Sequence, residues 1–395
     1  MRRISFLRIT YIIVFCAASA IVTTAQTFTT LLNFDGKDGA QPALMALIQG
    51  SDGKLYGTTV YGGTHGGGTV FTIAPGGSFA TLHSFHGTDG KAPFGALVQA
   101  TDGGLYGTTC CGGAGWGTVY KISPGGKLRT LYKFHNTPDG GNSNAGLVQA
   151  ADGSLYGTTV NGGTGNCGDG CGVIFKKTPG GKLTTFHTFQ GTDGWRPYGL
   201  IQGTDGNLYG ITSSAGTNGY GTFFAITTAG TLTSLYNFCA QQNCSDGASP
   251  LGTPVQASDG TFYGTTTGGG ANGYGTIFRI TSGGTLTTLY SFDKTDGETP
   301  WAGLVQGSDG NFYGTTSSGG TNGYGTIFSI TSAGTLTTLH NFNRTDGADP
   351  NGALMQGADG NFYGVTQRGG THNKGTVFSL SMGLGPWKRN RHPAK

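Results

Sequence analysis

One nine-residue string is written seven times along this chain. The segment SDGNFYGTT at 308–316 recurs, with small changes, wherever Asp-Gly precedes an apolar residue and Tyr-Gly. The Asp of each copy is Asp52, Asp102, Asp152, Asp205, Asp259, Asp309 and Asp359, at spacings of 50, 50, 53, 54, 50 and 50. A period near fifty residues means that one supersecondary unit is repeated and that neighbouring units bury each other's apolar faces. The repetition also limits what these residues mean, because a side chain present seven times belongs first to the scaffold.

Within one period the residues predict four strands. In 286–331 these are Leu286 to Phe292, Gly303 to Gly307, Asn311 to Thr316 and Thr326 to Thr331. Each is a short run of Thr, Ile, Tyr and Phe bounded by Gly, Asp and Asn. Alternation is imperfect: Ile327 and Phe328 are neighbours, as are Leu289 and Tyr290, a pattern expected of strands buried on both faces. Gly makes up 78 of 395 residues, far above the usual ~7%, and it falls at turn positions, where a positive φ is needed. The aromatic content of 11% argues against disorder. Four antiparallel strands in each of seven repeats predict an all-β, seven-bladed β-propeller. The chain opens with Phe28 to Phe34, a copy of the period's last strand, and ends its repeats with Thr376 to Leu380, a copy of the strand before it. The N-terminal strand is therefore expected to complete the final blade and close the ring, which removes the free edge. A β-solenoid is the competing architecture, but fifty residues with four turns are long for one coil.

The repeat core is an apolar residue, then Gln-x-x-Asp-Gly-x-Leu-Tyr-Gly-Thr-Thr, followed by Gly-Gly and Gly-Thr-Val-Phe. In this it resembles the Gloeo/Verruco (GloVer) tandem-repeat family of secreted bacterial β-propeller-like proteins, across about residues 28–380. The resemblance implies fold and export, and names no activity. Members of the family often carry a C-terminal anchor, whereas this chain ends in a short basic tail. The core is also similar to the Asp-Gly-x-Leu-Trp-x-Gly-Thr pattern of sensor propellers, with Tyr in place of Trp. The Asp-boxes of sialidases space Asp and Gly differently, so that activity is not carried over.

The chain divides into residues 1–25, a propeller over 26–384 and a tail over 385–395. Arg2, Arg3 and Arg8, the apolar run from Ile9 to Val22 and the small residues after it form a secretory signal peptide, too short to span a membrane. Cleavage is expected after Ala25, with Ala20 the alternative, releasing the protein to the periplasm or the extracellular space. Cys16 lacks the neighbours of a lipoprotein site. The mature chain then holds 20 basic and 19 acidic residues, and four of the basic ones (Lys388, Arg389, Arg391, Lys395) lie in the tail. No basic face is evident, which argues against nucleic acid as a partner. No membrane span is expected in the mature chain, and a monomer is expected.

Cysteine usage agrees with export. Cys167 with Cys171, and Cys239 with Cys244, form local pairs in the two repeats of aberrant spacing, and disulfides are expected for both. A zinc site built from all four is disfavoured, because the pairs sit in different repeats with no His beside them. Cys110 and Cys111 are adjacent, and the sequence leaves open a vicinal disulfide or two free thiols.

The carboxylates argue against an obvious active site. Of 19, seven are the Asp of the Ser-Asp-Gly type turn and seven more are Asp38, Asp89, Asp139, Asp193, Asp246, Asp296 and Asp346 of a second repeated turn. Asp before Gly caps its own turn. Among the remainder, Glu298 and Asp349 follow the same turn in successive blades and form the one candidate pair for two-carboxylate hydrolysis. His83, His187 and His340 share a repeat position with Tyr132, Tyr236 and Tyr290, which reads as a packing slot. His65, His86, His135 and His372 are scattered. No metal site and no cofactor are expected. The repeated Gln49, Gln99, Gln149, Gln202, Gln256, Gln306 and Gln356 are expected to hydrogen-bond within the inner strand layer.

Specific function is expected where the repeats differ. The tight turns share one face of the ring and the longer loops the other. The position after the repeated Pro reads Ala43, Phe94, Asn144, Tyr198, Leu251, Trp301 and Asn351, and it should ring the channel mouth. The second long loop carries Gly67, Trp116, Cys171, Tyr220, Tyr274, Tyr324 and Lys374. Aromatics and Asn on a weakly charged concave face suit a neutral polar ligand. The expected binding residues are Phe94, Trp116, Asn144, Tyr198, Tyr220, Tyr274, Trp301, Tyr324 and Asn351. The expected role is a secreted binding or scaffolding module for a glycan or a cell-surface partner. The alternatives are a carbohydrate-active lyase or hydrolase using Glu298, Asp349 or a loop His, and a purely structural envelope protein.

Overall fold

Alternating apolar runs and Gly-rich turns resolve into seven antiparallel sheets arranged as a seven-bladed propeller. The computed structural model describes residues 26–42 and 46–385. The signal-type segment with Cys16, residue Ala43 and the basic end of the tail lie outside the described residues. In blade 6 the strands, from the axis outwards, are Val305–Gln306, Phe312–Thr316, Thr326–Ile330 and Leu336–Asn341. The other blades repeat this order. Blade 7 is built from Met355–Gln356, Phe362–Thr366, Thr376–Ser381 and, as its outermost strand, Thr27–Asn33 from the other end of the chain. The described helical structure is a single 3-10 turn at Gln242–Cys244. No helix among the described residues is long and apolar enough to cross a membrane.

Two details differ from the expectation drawn from sequence. The innermost strand pairs over only two residues in most blades, not five. Next to the axis the inner backbones crowd one another: a Cβ on Gly252 of blade 5 would lie 2.3 Å from Gly303 N of blade 6. The adjacency of Leu289 and Tyr290 comes from a β-bulge. Ile277 pairs with Tyr290 and Phe278 with Thr288, so Leu289 is the extra residue of the outer strand. Every blade carries this irregularity between its two outer strands. A bulge re-aims side chains and increases local twist, and it lets both Leu289 and Tyr290 pack on the same interblade core.

The core lies between blades. Phe292 of blade 5, for example, packs with Leu304, Phe312 and Phe328 of blade 6. The Tyr of the Tyr-Gly pair is buried in six blades and partly exposed at Tyr106, and in five blades its hydroxyl donates to the Asp four residues earlier, as in Tyr56 to Asp52 at 2.7 Å. The following Gly has no room for a side chain, since a Cβ on Gly57 would lie 2.6 Å from both Leu47 and Phe71. Buried Thr hydroxyl pairs join the two middle strands in six blades, as in Thr316 with Thr326 at 2.9 Å.

The ring of glutamines ties each blade to the one before it. Every one of the seven donates Nε2–H to the Gly carbonyl of its own Asp-Gly turn, at 3.0–3.3 Å. Six accept at Oε1 from a backbone N–H in the preceding blade's turn, as Gln99 does from Ser51 at 2.8 Å. Gln49 of blade 1 accepts from Ala358 N of blade 7 at 2.8 Å, across the closure. Gln49→Ala is expected to lower stability by about 1–2 kcal/mol, the cost of unpairing partly buried polar groups. A thermal midpoint equal to wild type would show that the ring closes without this amide.

Candidate functional site

The long-loop face is built by one backbone device repeated seven times. The residue before the repeated Pro, or before Ser143 in blade 3, has positive φ in every blade: Gln41, Ala92, Asn142, Arg196, Ser249, Thr299 and Asp349, all between 52° and 56°. This conformation is strained for residues other than Gly, most of all for β-branched Thr299. It is held because each N–H donates to a carbonyl of the preceding blade's long loop. Asn142 N bonds Trp116 O at 2.9 Å, Thr299 N bonds Tyr274 O at 2.9 Å and Asp349 N bonds Tyr324 O at 3.2 Å. The residues of the second variable loop thus serve the scaffold through their backbone. Gly325, at φ 93°, is fixed by the same junction, because a Cβ there would lie 2.3 Å from Thr316 O and 2.6 Å from Pro350.

The entry loops surround a cavity of about 370 Å³, lined by Phe94, Trp301, Ser317, Ser318, Asp349, Asn351 and Gln367. Three of these, Phe94, Trp301 and Asn351, belong to the ring expected from the position after Pro. Trp301 is one of three large apolar side chains left substantially exposed among the described residues, with Tyr61 and Tyr220. Asn351 is buried. Its Nδ2 donates to Gln367 Oε1 at 2.9 Å, and its Oδ1 has no hydrogen-bond partner. Asn144 and Tyr198 lie in the entry loops of blades 3 and 4, and Asn144 Oδ1 is likewise buried and unpaired. Below the loops the axis narrows to an apolar neck of about 280 Å³, walled by Ala46, Ala96, Gly146, Gly199, Thr253, Gly303 and Ala353, one residue per blade.

The other expected ligand residues divide. Tyr220 is exposed, but it lies on the second loop and does not line the cavity. Trp116, Tyr274 and Tyr324 are partly buried against the interblade cores. Ser317 and Gln367, absent from the expectation, come from the position just after Gly-x-Thr. That position reads Val60, Cys110, Val160, Ser213, Thr267, Ser317 and Gln367, and its variation inside an otherwise repeated string is the signal that marks it.

Of the two candidate acids, Asp349 lines the cavity and Glu298 does not. They occupy different repeat positions: Glu298 bridges Ser318 as Ala348 bridges Arg368, so Asp349 corresponds to Thr299. Asp349 lies 3.4 Å from Arg368. Burial raises its pKa above the ordinary carboxylate value, and the Arg368 charge offsets this in part.

The His and Tyr of the shared slot and the repeated Asp beside them are structural. The second repeated Asp accepts a backbone N–H three to five residues earlier and, in six of the seven copies, also takes the His or Tyr of the shared slot, which is Leu32 beside Asp38. His83 to Asp89 is 2.7 Å, Tyr132 to Asp139 is 2.6 Å, and Tyr290 to Asp296 is a further pair. The slot is therefore a hydrogen-bonding position, more specific than simple packing. No group of three His, Cys, Asp or Glu able to hold a metal ion occurs among the described residues. The four paired cysteines form the disulfides Cys167–Cys171 and Cys239–Cys244, which rules out the zinc alternative. A larger recess, of about 380 Å³, lies on the tight-turn face between blades 2 and 3. It is lined by Arg129 and Lys177, and by Lys121, already paired with Asp102 at 2.7 Å. Apart from these cations its walls are largely repeated turn residues, whereas the mouth cavity gathers variable positions from three blades.

The Gloeobacter/Verrucomicrobia repeat matches residues 18–197 and 197–388, nearly the whole chain. The chain belongs to the Gloeobacter/Verrucomicrobia repeat family. No curated protein matches it in sequence. Among solved structures, this family member is similar to the extracellular domain of a hybrid two-component system protein from B. thetaiotaomicron, at 13% identity and a TM-score of 0.58 over 89% of this chain and 41% of that one. It is also similar to the periplasmic gluconolactonase of Pseudomonas aeruginosa, at 16% identity and 0.50, over 75% and 84% of the two chains. A protein from Bacteroides fragilis described as a 6-phosphogluconolactonase aligns at 20% identity and 0.51, over 74% and 82%. At these identities the likeness is one of fold.

The raised pKa of Asp349 has a measurable consequence. A folded-state value above the unfolded one means that ionisation opposes folding, so the penalty is present at neutral pH and disappears as pH falls below the unfolded value. Asp349→Asn, which keeps a residue tolerant of positive φ, is expected to raise the unfolding midpoint slightly at pH 7 and to match wild type near pH 3. A lower midpoint at pH 7 would mean that the Arg368 pair outweighs burial.

Proposed function

We propose that this family member is an exported binding module that holds a saccharide at the channel mouth of its long-loop face. The observation that carries this reading is the composition of one cavity. Exposed Trp301 and neighbouring Phe94 offer aromatic faces, and buried Asn351 offers an unpaired carbonyl oxygen beside them. Sugars present apolar ring faces to aromatics and hydroxyl donors to amide oxygens, and an unpaired buried acceptor is costly until a donor arrives. Export is supported by the signal-type segment at 1–25 and by the two disulfides. Binding without hydrolysis is favoured over a two-carboxylate glycosidase, because Asp349 is the one acid among the described residues lining the cavity.

The reading is tested by screening the mature protein against a glycan array and titrating the hits. Trp301→Ala is expected to weaken binding at least tenfold, about 1.4 kcal/mol, while Tyr220→Ala leaves it unchanged. Equal affinities for wild type and Trp301→Ala would remove the channel mouth as the site. Product release lost in Asp349→Asn would replace the binding reading with an enzymatic one.

A further inference from the structure

Blade 2 differs from the other six at the channel mouth in one respect. Where they carry Val60, Val160, Ser213, Thr267, Ser317 and Gln367 after Gly-x-Thr, it carries Cys110, followed by Cys111. The scaffold does not need sulfur here. Cys111 forms the same backbone bridge, to Lys91, that Asn161, Gly268, Ser318 and Arg368 form in other blades. Both cysteines are free and partly exposed, in a chain whose other described cysteines are all paired.

The two sulfurs lie 2.9 Å apart, inside the ~3.5–4.0 Å at which even smaller carbon atoms rest. Asn142 Nδ2 donates to Cys110 O at 3.1 Å and lies 3.5 Å from Cys110 Sγ and 4.0 Å from Cys111 Sγ. Cys110 also packs with Phe94 on Val60 and Ala92, and it occupies the repeat position at which Ser317 and Gln367 line the mouth cavity. We propose that Cys110 and Cys111 are a reversible dithiol–disulfide couple, a thiol-exchange site at the channel mouth whose co-reactant is a small-molecule disulfide.

The chemistry balances with that co-reactant alone. The Cys111 thiolate attacks one sulfur of the disulfide, forming a mixed disulfide and expelling one thiolate. Cys110, deprotonated, then attacks Cys111 Sγ, closing the vicinal bond and expelling the second thiolate. The pair loses two electrons and two protons, and the co-reactant gains them as two thiols. The hydrogen bond from the Cys110 thiol holds Cys111 at about 7, with Lys91 and Asn142 assisting, so Cys111 is the nucleophile. The same contact and burial push Cys110 upwards. The contact vanishes once Cys111 is in the mixed disulfide, which frees Cys110 to react. Adjacent Cα atoms are about 3.8 Å apart, below the usual ~4.4–6.8 Å of a disulfide, so the closed bond is strained and readily reduced. That makes the pair a couple and not a permanent staple.

The test incubates the full mature protein with oxidised glutathione, alkylates remaining thiols and measures peptide masses. The wild-type peptide should become two hydrogens lighter, with no adduct. Mild reductant should restore two alkylatable thiols there while Cys167–Cys171 and Cys239–Cys244 stay closed. Cys110→Val, a residue that blades 1 and 3 already accommodate, should trap a stable glutathione adduct on Cys111. Two thiols still alkylatable in wild type, or an adduct that persists in wild type, would overturn the proposal. Because the readout is sulfur chemistry, its failure leaves the saccharide reading untouched, and the reverse.

Discussion

Everything in this ring depends on one blade being fastened to the next by hydrogen bonds at both faces. On the tight-turn face the fastener is a side-chain amide, which uses its donor within its own blade and its acceptor on the neighbour, as Gln99 does with Gly103 and Ser51. On the long-loop face it is a strained backbone N–H, as at Asp349, bonded to the preceding loop at Tyr324. Apolar packing between blades, such as Phe292 on Phe328, supplies the non-directional attraction. The two polar junctions supply register. Strain at Thr299 or Asp349 persists because the neighbouring blade over-determines that backbone. The mouth is therefore pre-organised, and a ligand there meets a surface whose loops are already ordered.

The architecture was legible because its signals are local and repeated. Asp-Gly before an apolar strand marks one hairpin, and Tyr-Gly with Thr-Thr marks the strand that follows it. The copy of the outer strand at the N-terminus announced closure, and Thr27 to Asn33 does pair with Thr376 to Ser381. What was not legible depends on neighbours distant in sequence. The shortness of the inner strand comes from crowding of backbones around the axis, which no single repeat reveals. Leu289 and Tyr290 looked like a doubly buried strand, but a bulge gives the same pattern and is specified by pairing with Ile277 and Phe278.

The lining of the candidate site was half legible for a related reason. Proline marks where the chain turns towards the axis, so the residue after it, Phe94, Trp301 or Asn351, could be placed at the mouth from sequence. Trp116, Tyr274 and Tyr324 are equally prominent as letters, but their rings turn into the interblade gaps while their carbonyls hold the next blade. A loop's sequence does not show which way a side chain leaves it. Ser317 and Gln367 were passed over because they follow a strand whose repeated part looked wholly structural. The His and Tyr slot misled in the opposite sense. Interchange between two aromatic residues suggested packing, and the shared property is a hydrogen-bonding tip that reaches the same Asp.

Sevenfold repetition gives a criterion for where specific chemistry can reside. Any group needed by the scaffold appears in most blades and is consumed there, as fourteen of the nineteen carboxylates are. A group that occurs once, at a position where other blades manage without it, is free of that duty. Trp301 and Asp349 meet this condition on blades 6 and 7, and Cys110 with Cys111 meets it on blade 2. Blade 2 also sends Phe94 into the same cavity as Trp301. Three of the variable post-Pro residues, Phe94, Trp301 and Asn351, thus line one cavity. An exposed Trp and an unpaired amide oxygen line that one cavity, and the dithiol occupies, in blade 2, the repeat position of its Ser317 and Gln367. That gathering of variable side chains is what makes this face the candidate site, in contrast to the largely repeat-built recess of the opposite face.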